Sequence, residues 1–423
     1  MKNKNNLPKT KTHSLAITRT VLNNGLTLVT EKIPNVESIA LGIFVNAGSR
    51  DDSPDFSGTA HFMEHAVFRR SQKRTSRRIA GEFESMGAYT NAFTSQEYTC
   101  FYVRALKRHF RRTLNILFDI TMNPMLLQKE IEKEQLIILE EIKSYEDDPE
   151  EYIFDLGDNI IFQNHPLGNP IIGTKESIDA IDSNILQQFH REYYKPDNII
   201  ITFVGDIEHQ IVLNAISSLF GDLEAGNRVY TRIAPEAFMP MTLEMAKPVQ
   251  QSHLLLGKRA ASLKDEDRTA LMIFNILYGD GMSSRLYQKL RDRHGIAYSI
   301  FSTLQMHSDA GVFYIYAATD TKKVRKTETM IFEQMNQILG EKLNRSEINR
   351  AKEQLKSSLI MDLESMSARM QSLAKNELLI GDHESVKEII ERIDAITLET
   401  VKDTAAKYFG DGLWSKAHIY PEK

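Results

Sequence analysis

The sequence predicts an α+β protein of two homologous domains, each a mostly antiparallel sheet packed by helices. Two observations lead to that class. β-type runs and long segments with helical spacing follow one another through a chain of 423 residues, more than one ordinary core organises. The second half also repeats the first. Thr59-Ala60-His61-Phe62-Met63-Glu64-His65 lies opposite Thr269-Ala270-Leu271-Met272-Ile273-Phe274-Asn275, Ala88-Tyr89 opposite Ala297-Tyr298, and Lys133-Glu134-Gln135-Leu136 opposite Lys352-Glu353-Gln354-Leu355. The three matches keep the same order, at a spacing of about 210 to 220 residues, and fall in matching predicted elements.

Residues 17–22 and 26–33 are strand-like and flank Asn23-Asn24-Gly25, a hairpin turn sequence. A third strand is expected over 38–47. A loop rich in Gly, Ser, Asp and Pro, 48–58, leads into helical spacing over 59–68. A further helix is expected over 76–86, strands over 89–93 and 99–104, and long helices over 107–120 and 127–145. A strand over 198–204 and a helix near 210–220 complete this half. Residues 223–248, with Gly226, Pro235, Pro240 and Pro248, read as a linker between a first domain, 14–222, and a second, 249–423. The polar, basic residues 1–13 read as a disordered tail.

Composition narrows the function. Apolar residues make up 42% and charged residues 26%, as in ordinary soluble globular proteins. A net charge of -5 speaks against nucleic acid or an anionic membrane as a partner. The single cysteine, Cys100, excludes an internal disulfide and a cysteine-based zinc site, and suits a reducing compartment. No apolar region follows the basic N-terminal residues, and no run of about 18 apolar residues is available to span a membrane. A cytoplasmic location is the expectation.

The chemistry is concentrated in one segment. His61 and His65 stand four apart, so a helix carries them on one face, where they can share a metal. Glu64 sits on the same side, in reach of a water at that metal. His-x-x-Glu-His is the inverse of the His-Glu-x-x-His zincin motif. Neutral imidazoles and a carboxylate suit zinc, with three protein ligands and a fourth place for water. The third ligand is expected from the acid-rich helix 127–145, where Glu134 and Glu141 lie two turns apart on one face. Either can reach the metal, and the other can orient a ligand histidine. The second copy has Leu271, Phe274 and Asn275 in place of the motif, and Ile360 opposite Glu141. Residues of that kind, expected to be buried, are what the fold carries when it has no metal to hold. A histidine standing alone would read as core packing, and the Glu-rich helix as a solvated face. The triplet beside a repeat that lacks it reads as a site.

With these residues the chain resembles the pitrilysin family of inverzincins, which includes insulin-degrading enzyme and the mitochondrial processing peptidase. The resemblance runs from about residue 15 onward, and the two-domain layout is that of the short bacterial-type members. It implies a processing-peptidase-like metallohydrolase fold and a zinc-dependent endopeptidase with one zinc per chain, held by His61, His65 and Glu141. Glu134 becomes the acid behind the ligands, and Glu64 the general base that takes a proton from water and returns it to the leaving amine. Tyr89-Thr90-Asn91-Ala92-Phe93-Thr94 is similar to the family's edge strand, which holds a peptide substrate as an added strand, with Asn91, Ala92 and Phe93 as the implied substrate-binding positions. On their own, the side chains of Phe93 and Phe101 read as hairpin packing.

Arg291 and Tyr298, in the segments beginning at Gly281 and Gly295, are similar to the family's arginine–tyrosine pair. The resemblance implies that Arg291 grips a substrate carbonyl and that Tyr298 donates to the developing oxyanion. It also implies a closed chamber, and a homodimer with composite sites, because one chain carries both the metal set and this pair. One departure is local: Phe68-Arg69-Arg70-Ser71 stands where the family often has a bulky residue followed by Gly-Thr. The alternative is a non-catalytic structural or regulatory subunit of the same family, and the complete set of His61, Glu64, His65 and Glu141 speaks against it.

Overall fold

The computed structural model describes residues 9–12, 17–226, 231–340, 343–381 and 383–422. They fall into two compact units. The first gathers the described residues of Met1–Lys143, Asn169–Arg232 and Asp362–His383, and the second those of Ser144–Gly168, Ile233–Met361 and Glu384–Lys423.

In the first unit seven strands make one sheet: β1 (Lys9–Thr12), β2 (Ile17–Val21), β3 (Thr27–Lys32), β4 (Ser38–Val45), β5 (Tyr89–Thr94), β6 (Thr99–Leu106) and β7 (Ile199–Gly205). Their order is β1-β2-β3-β7-β4-β6-β5, and every pairing is antiparallel except that of β3 with β7. The β2–β3 turn needs Gly25, whose φ is +92°. It is anchored by Asn24, whose Nδ2 donates to the Phe220 carbonyl at 2.7 Å.

The second unit holds β8 (Thr242–Lys247), β9 (Ser252–Ala260), β10 (Ala297–Met306), β11 (Gly311–Thr319) and β12 (Ser415–Pro421). Their order is β10-β11-β9-β12-β8, with only β12 and β8 parallel. Read from β3, the first sheet runs β3-β7-β4-β6-β5; read from β8, the second runs β8-β12-β9-β11-β10. The two match strand for strand, including the single parallel pair, so the repeat in the sequence is a repeat of topology. The fold is α+β, with two mixed sheets packed by helices.

Two stretches read as irregular contain strands. β1 lies in the expected tail and pairs with β2, and β8 lies in the expected linker and pairs with β12. Each is an edge strand of four to six residues, β1 with the polar sequence Lys9-Thr10-Lys11-Thr12 and β8 with alternating burial, so neither leaves an apolar run to read. Residues 1–8 and 13 of the tail and 227–230 of the linker lie outside the described residues.

A sheet must cover two faces, and strand alternation sends successive residues to each. In the first unit Leu41, Ile43, Phe101 and Ile201 point toward the helices Thr59–Ala66, Phe110–Met122 and Ser183–Tyr193. Ala40, Phe44, Cys100 and Ile200 point the other way, against Met370, Leu373 and Ala374 of helix Met366–Lys375. The second sheet is built alike, with helix Pro149–Phe162 packing over β9 and β12. Each of these two covering helices therefore comes from the opposite half of the sequence, which a division at 223–248 did not anticipate. Glycine permits the close contact: a Cβ on Gly157 would stand 2.4 Å from Leu255 Cδ2, and one on Gly257 2.4 Å from Ile161 Cδ1. Among the described residues no helix is long and apolar enough to cross a membrane.

Helix Pro149–Phe162 also buries Asp158, to which Tyr314 Oη donates at 2.5 Å. Burial pushes its pKa up to about 7 against that bond, and Asp155 on the same helix is raised to about 7 for the same reason, with Tyr145 as its hydrogen-bond partner. The folded chain thus retains protons that an unfolded chain sheds near pH 4, so these groups make stability fall as pH rises from about 4 to about 7. Asp158→Asn keeps an acceptor for Tyr314 and is expected to flatten that decline in urea-unfolding midpoints. Equal slopes in variant and wild type would count against the raised pKa.

Candidate metal centre

Helix Thr59–Ala66 turns Thr59, Ala60, Phe62, Met63 and Ala66 into the core. That packing leaves His61, Glu64 and His65 on its other face, half-buried. Its N-terminus is tied down by Asp52, which accepts the Gly58 N–H at 2.7 Å and the Ala60 N–H at 2.9 Å. Gly58 itself adopts φ +90° and packs where a Cβ would meet the Ile172 carbonyl at 2.7 Å.

Helix Gln128–Glu146 brings the acids. Its buried stripe of Ile131, Ile138 and Ile142 includes Glu134, while Glu141 stays half-exposed. Glu141 Oε1 lies 4.0 Å from His61 Nε2, and Oε2 lies 3.6 Å from His65 Nε2. Ligand atoms of the three residues lie within 4.8 Å of one another, the one such group of His, Cys, Asp and Glu among the described residues. Neighbouring ligands of a tetrahedral zinc stand about 3.4 Å apart, so the trio needs only a small contraction to hold one. The donors are in the right state for it. Burial, reinforced by the neighbouring His65, lowers the His61 pKa to about 3 and keeps its imidazole neutral. His65 Nδ1 stands 3.0 Å from Glu134 Oε1, so that contact engages Nδ1 and turns Nε2 toward Glu141.

Glu64 lies beside the trio. Thr94 Oγ1 donates to its Oε2 at 2.6 Å, and burial raises its pKa against that bond. A cavity of about 360 Å³ opens next to it, lined by Glu64, His65, Phe68, Arg69, Ser76, Thr90, Asn91, Ala92 and Glu134. β5 is the last strand of its sheet. There Asn91 Oδ1 accepts the Ala92 N–H at 2.9 Å, an edge group an incoming strand could take instead. Phe93 packs edge-on against Tyr98 and Tyr102, as its hairpin reading expects.

In the second unit Arg291 and Tyr298 line one cavity of about 350 Å³, with the guanidinium 5.5 Å from the tyrosine ring centre. Tyr298 sits where the β10–β11 register shifts between Ala297 and Ser299, and is 73% exposed. In the repeat of the metal helix, Leu271 and Phe274 are fully buried and Asn275 accepts from Ser302 at 2.7 Å. Ile360, expected to be buried, is 47% exposed, because its helix turns that face away from the core.

Two partners of the site were not read from the sequence. Arg69 forms an ion pair with Glu134, and Thr94 holds Glu64. The spacing of Arg69, four after His65, was the available signal for the first.

Two imidazoles and a carboxylate converging on one point, with a second carboxylate alongside, are the equipment of a metal-dependent hydrolase. The chain belongs to the insulinase family of peptidases, peptidase family M16. The family model described as Insulinase (Peptidase family M16) matches residues 27–175, and that of the Peptidase M16 inactive domain matches 180–355. The Bacillus subtilis (strain 168) protein named uncharacterized zinc protease YmxG is 35% identical, covering 93% of this chain and 96% of its own length. An uncharacterized zinc protease of Rickettsia bellii (strain RML369-C) is 32% identical over 93% of this chain and 95% of its own. The fold is shared with a solved protease from Helicobacter pylori, at TM-score 0.88 and 22% identity over 98% of this chain and 100% of that one. A solved peptidase M16 inactive domain from Pseudomonas fluorescens gives TM-score 0.90 and 18% identity over 97% and 98%.

The trio predicts uptake of one zinc per chain, measurable by elemental analysis and chelator competition. His65→Ala is expected to abolish tight uptake, and Glu134→Ala to weaken it by about 10–100-fold. Unchanged affinity in both variants would place the metal elsewhere.

Proposed function

We propose that the chain is a zinc-dependent endopeptidase that cleaves peptides or presequences held as an added strand on β5, within a closed chamber. The observation that carries this is the trio of His61, His65 and Glu141, with Glu64 beside it and the free edge of β5 next to both. Held by those three residues, zinc would supply a more acidic water and an electrophile for the scissile carbonyl. Glu64 would take a proton from the attacking water and pass it to the amine nitrogen as the C–N bond breaks, a double role that suits a carboxyl whose pKa is raised by burial. Glu134 orients the His65 ring. Backbone pairing along Asn91, Ala92 and Phe93 holds the substrate with little demand on its side chains, so the sequence preference is loose.

Arg291 and Tyr298 supply the remaining polar groups, the first to a substrate carbonyl and the second to the developing oxyanion. We assign them to the zinc site of a partner copy in a homodimer. The reading is supported by one chain carrying both the metal set and this pair. A reducing, cytoplasmic setting is supported by Cys100, which is buried and unpaired.

Wild type is expected to cleave a quenched basic peptide, and Glu64→Gln to keep its zinc while losing about 10²–10⁴-fold in kcat. Zinc uptake without cleavage by wild type would favour the non-catalytic reading. Composite sites make a separate prediction. Inactive Glu64→Gln and inactive Arg291→Ala chains, mixed and allowed to exchange subunits, should regain about a quarter of wild-type activity, since half the dimers then hold one intact site. No recovery after exchange, or a fully active monomer in sedimentation, would rule the arrangement out.

A further inference from the structure

We propose that Thr94 is a positioning residue for Glu64, and that through it the geometry of the substrate strand sets the orientation of the base. The proposal rests on reading Glu64 as the general base.

Thr94 is the last residue of β5, three positions beyond Asn91. Its Oγ1 donates to Glu64 Oε2 at 2.6 Å, the short end of the range for a hydroxyl on a carboxylate. The other hydroxyl in reach, Thr99 Oγ1, is 3.5 Å away and already donates to the Ala47 carbonyl at 2.9 Å. The Thr94 proton therefore has one good acceptor. With Oε2 engaged, Oε1 remains as the atom that can meet a proton from outside.

Glu64 gets this constraint from a different element than its own. Its helix fixes the Cα, but a glutamate has three torsions beyond it, and among the described residues the carboxylate's hydrogen bond comes from Thr94 and not from the helix. Thr94 fixes that plane from the sheet. Among the described residues β5 is paired on one side only, to β6, with Phe93 opposite Cys100 and Thr94 opposite Thr99. A peptide that pairs along the free side of β5 settles the strand that carries the Thr94 hydroxyl. Substrate occupancy and base orientation are then linked through one hydrogen bond.

Thr94→Val removes the hydroxyl and keeps the shape; Thr94→Ser keeps the hydroxyl. Zinc content of about one per chain should be unchanged in both. For the valine variant kcat is expected to fall roughly 10–100-fold, with KM within about twofold, because the bond orients the base and does not bind substrate. The serine variant should stay within about threefold of wild type. Equal impairment of serine and valine variants, or loss of zinc from the valine variant, would assign Thr94 to packing and overturn the proposal. A crystal structure of Thr94→Val gives a readout independent of turnover: the Glu64 carboxylate should leave its wild-type orientation. If it stays in place, Thr94 does not position it. If it moves while wild type itself fails to cleave any peptide, the positioning holds and the peptidase reading is what fails.

Discussion

The site depends on one buried carboxylate. Glu134 lies between His65 Nδ1 and the guanidinium of Arg69, and so joins the helix that carries the motif to the helix that carries Glu141. A carboxylate buried that far from water is tolerated only when its lone pairs are filled and its charge is matched. Removing either partner would cost of the order of a few kcal/mol, discounted because Arg69 is about a third exposed. The two helices therefore keep one register, and that register decides whether Glu141 reaches the two imidazoles. The convergence of His61, His65 and Glu141 thus leans on the acid behind it.

The sheet does the rest of the positioning. Thr94 approaches Glu64 from β5, and β5 keeps its place because β6 pairs with it on one side and with β4 on the other. β4 and β7 lie at the centre, covered on both faces, which is why their sequences run as nearly continuous hydrocarbon. The second unit uses the same topology, yet its helix Arg268–Tyr278 puts Leu271 and Phe274 into the core where the first unit has His61 and Glu64. One scaffold thus carries either a polar face or an apolar one at the same helix. The choice costs the first unit some core, and the Glu134 pairing offsets part of that loss.

Much of this was legible in the sequence, and for physical reasons. Motif residues repeat at helical spacing, so His61, Glu64 and His65 declare a shared face without any tertiary information. Comparison with the second copy then separates them from scaffold. The hydrophobic periods marked β4, β7 and helix Gln128–Glu146 within two residues, and began helix Phe110–Met122 three residues early, over the short turn Lys107–His109. What did not show was of three kinds. β1 and β8 are edge strands with few apolar residues; β1 pairs with its neighbour β2, and β8 with β12, a partner remote in sequence. The segment 146–197 yielded no helices on reading, although Asp148-Pro149 is a strong start signal and Asp148 does accept the Glu150 and Glu151 N–H groups. The exchange of covering helices is a tertiary fact with no local signature at all.

The departure at Phe68-Arg69-Arg70-Ser71 finds its reason in the same contacts. Arg69 pairs with Glu134, Arg70 Nε donates to Glu130 at 2.9 Å, and Ser71 donates to Asp119 at 2.5 Å. Asp119 also receives Arg74 at 2.6 Å. A glycine in this segment would leave Glu134 and Glu130 facing one another's charge on the same helix with fewer cations to balance them. Here consecutive arginines clamp two acids one turn apart on helix Gln128–Glu146, so the loop leaving the motif is fastened directly to the helix that carries Glu141. The departure therefore bears on how rigidly the trio is held and on the wall of the adjoining cavity, which Phe68 and Arg69 line, and leaves the donor set itself untouched.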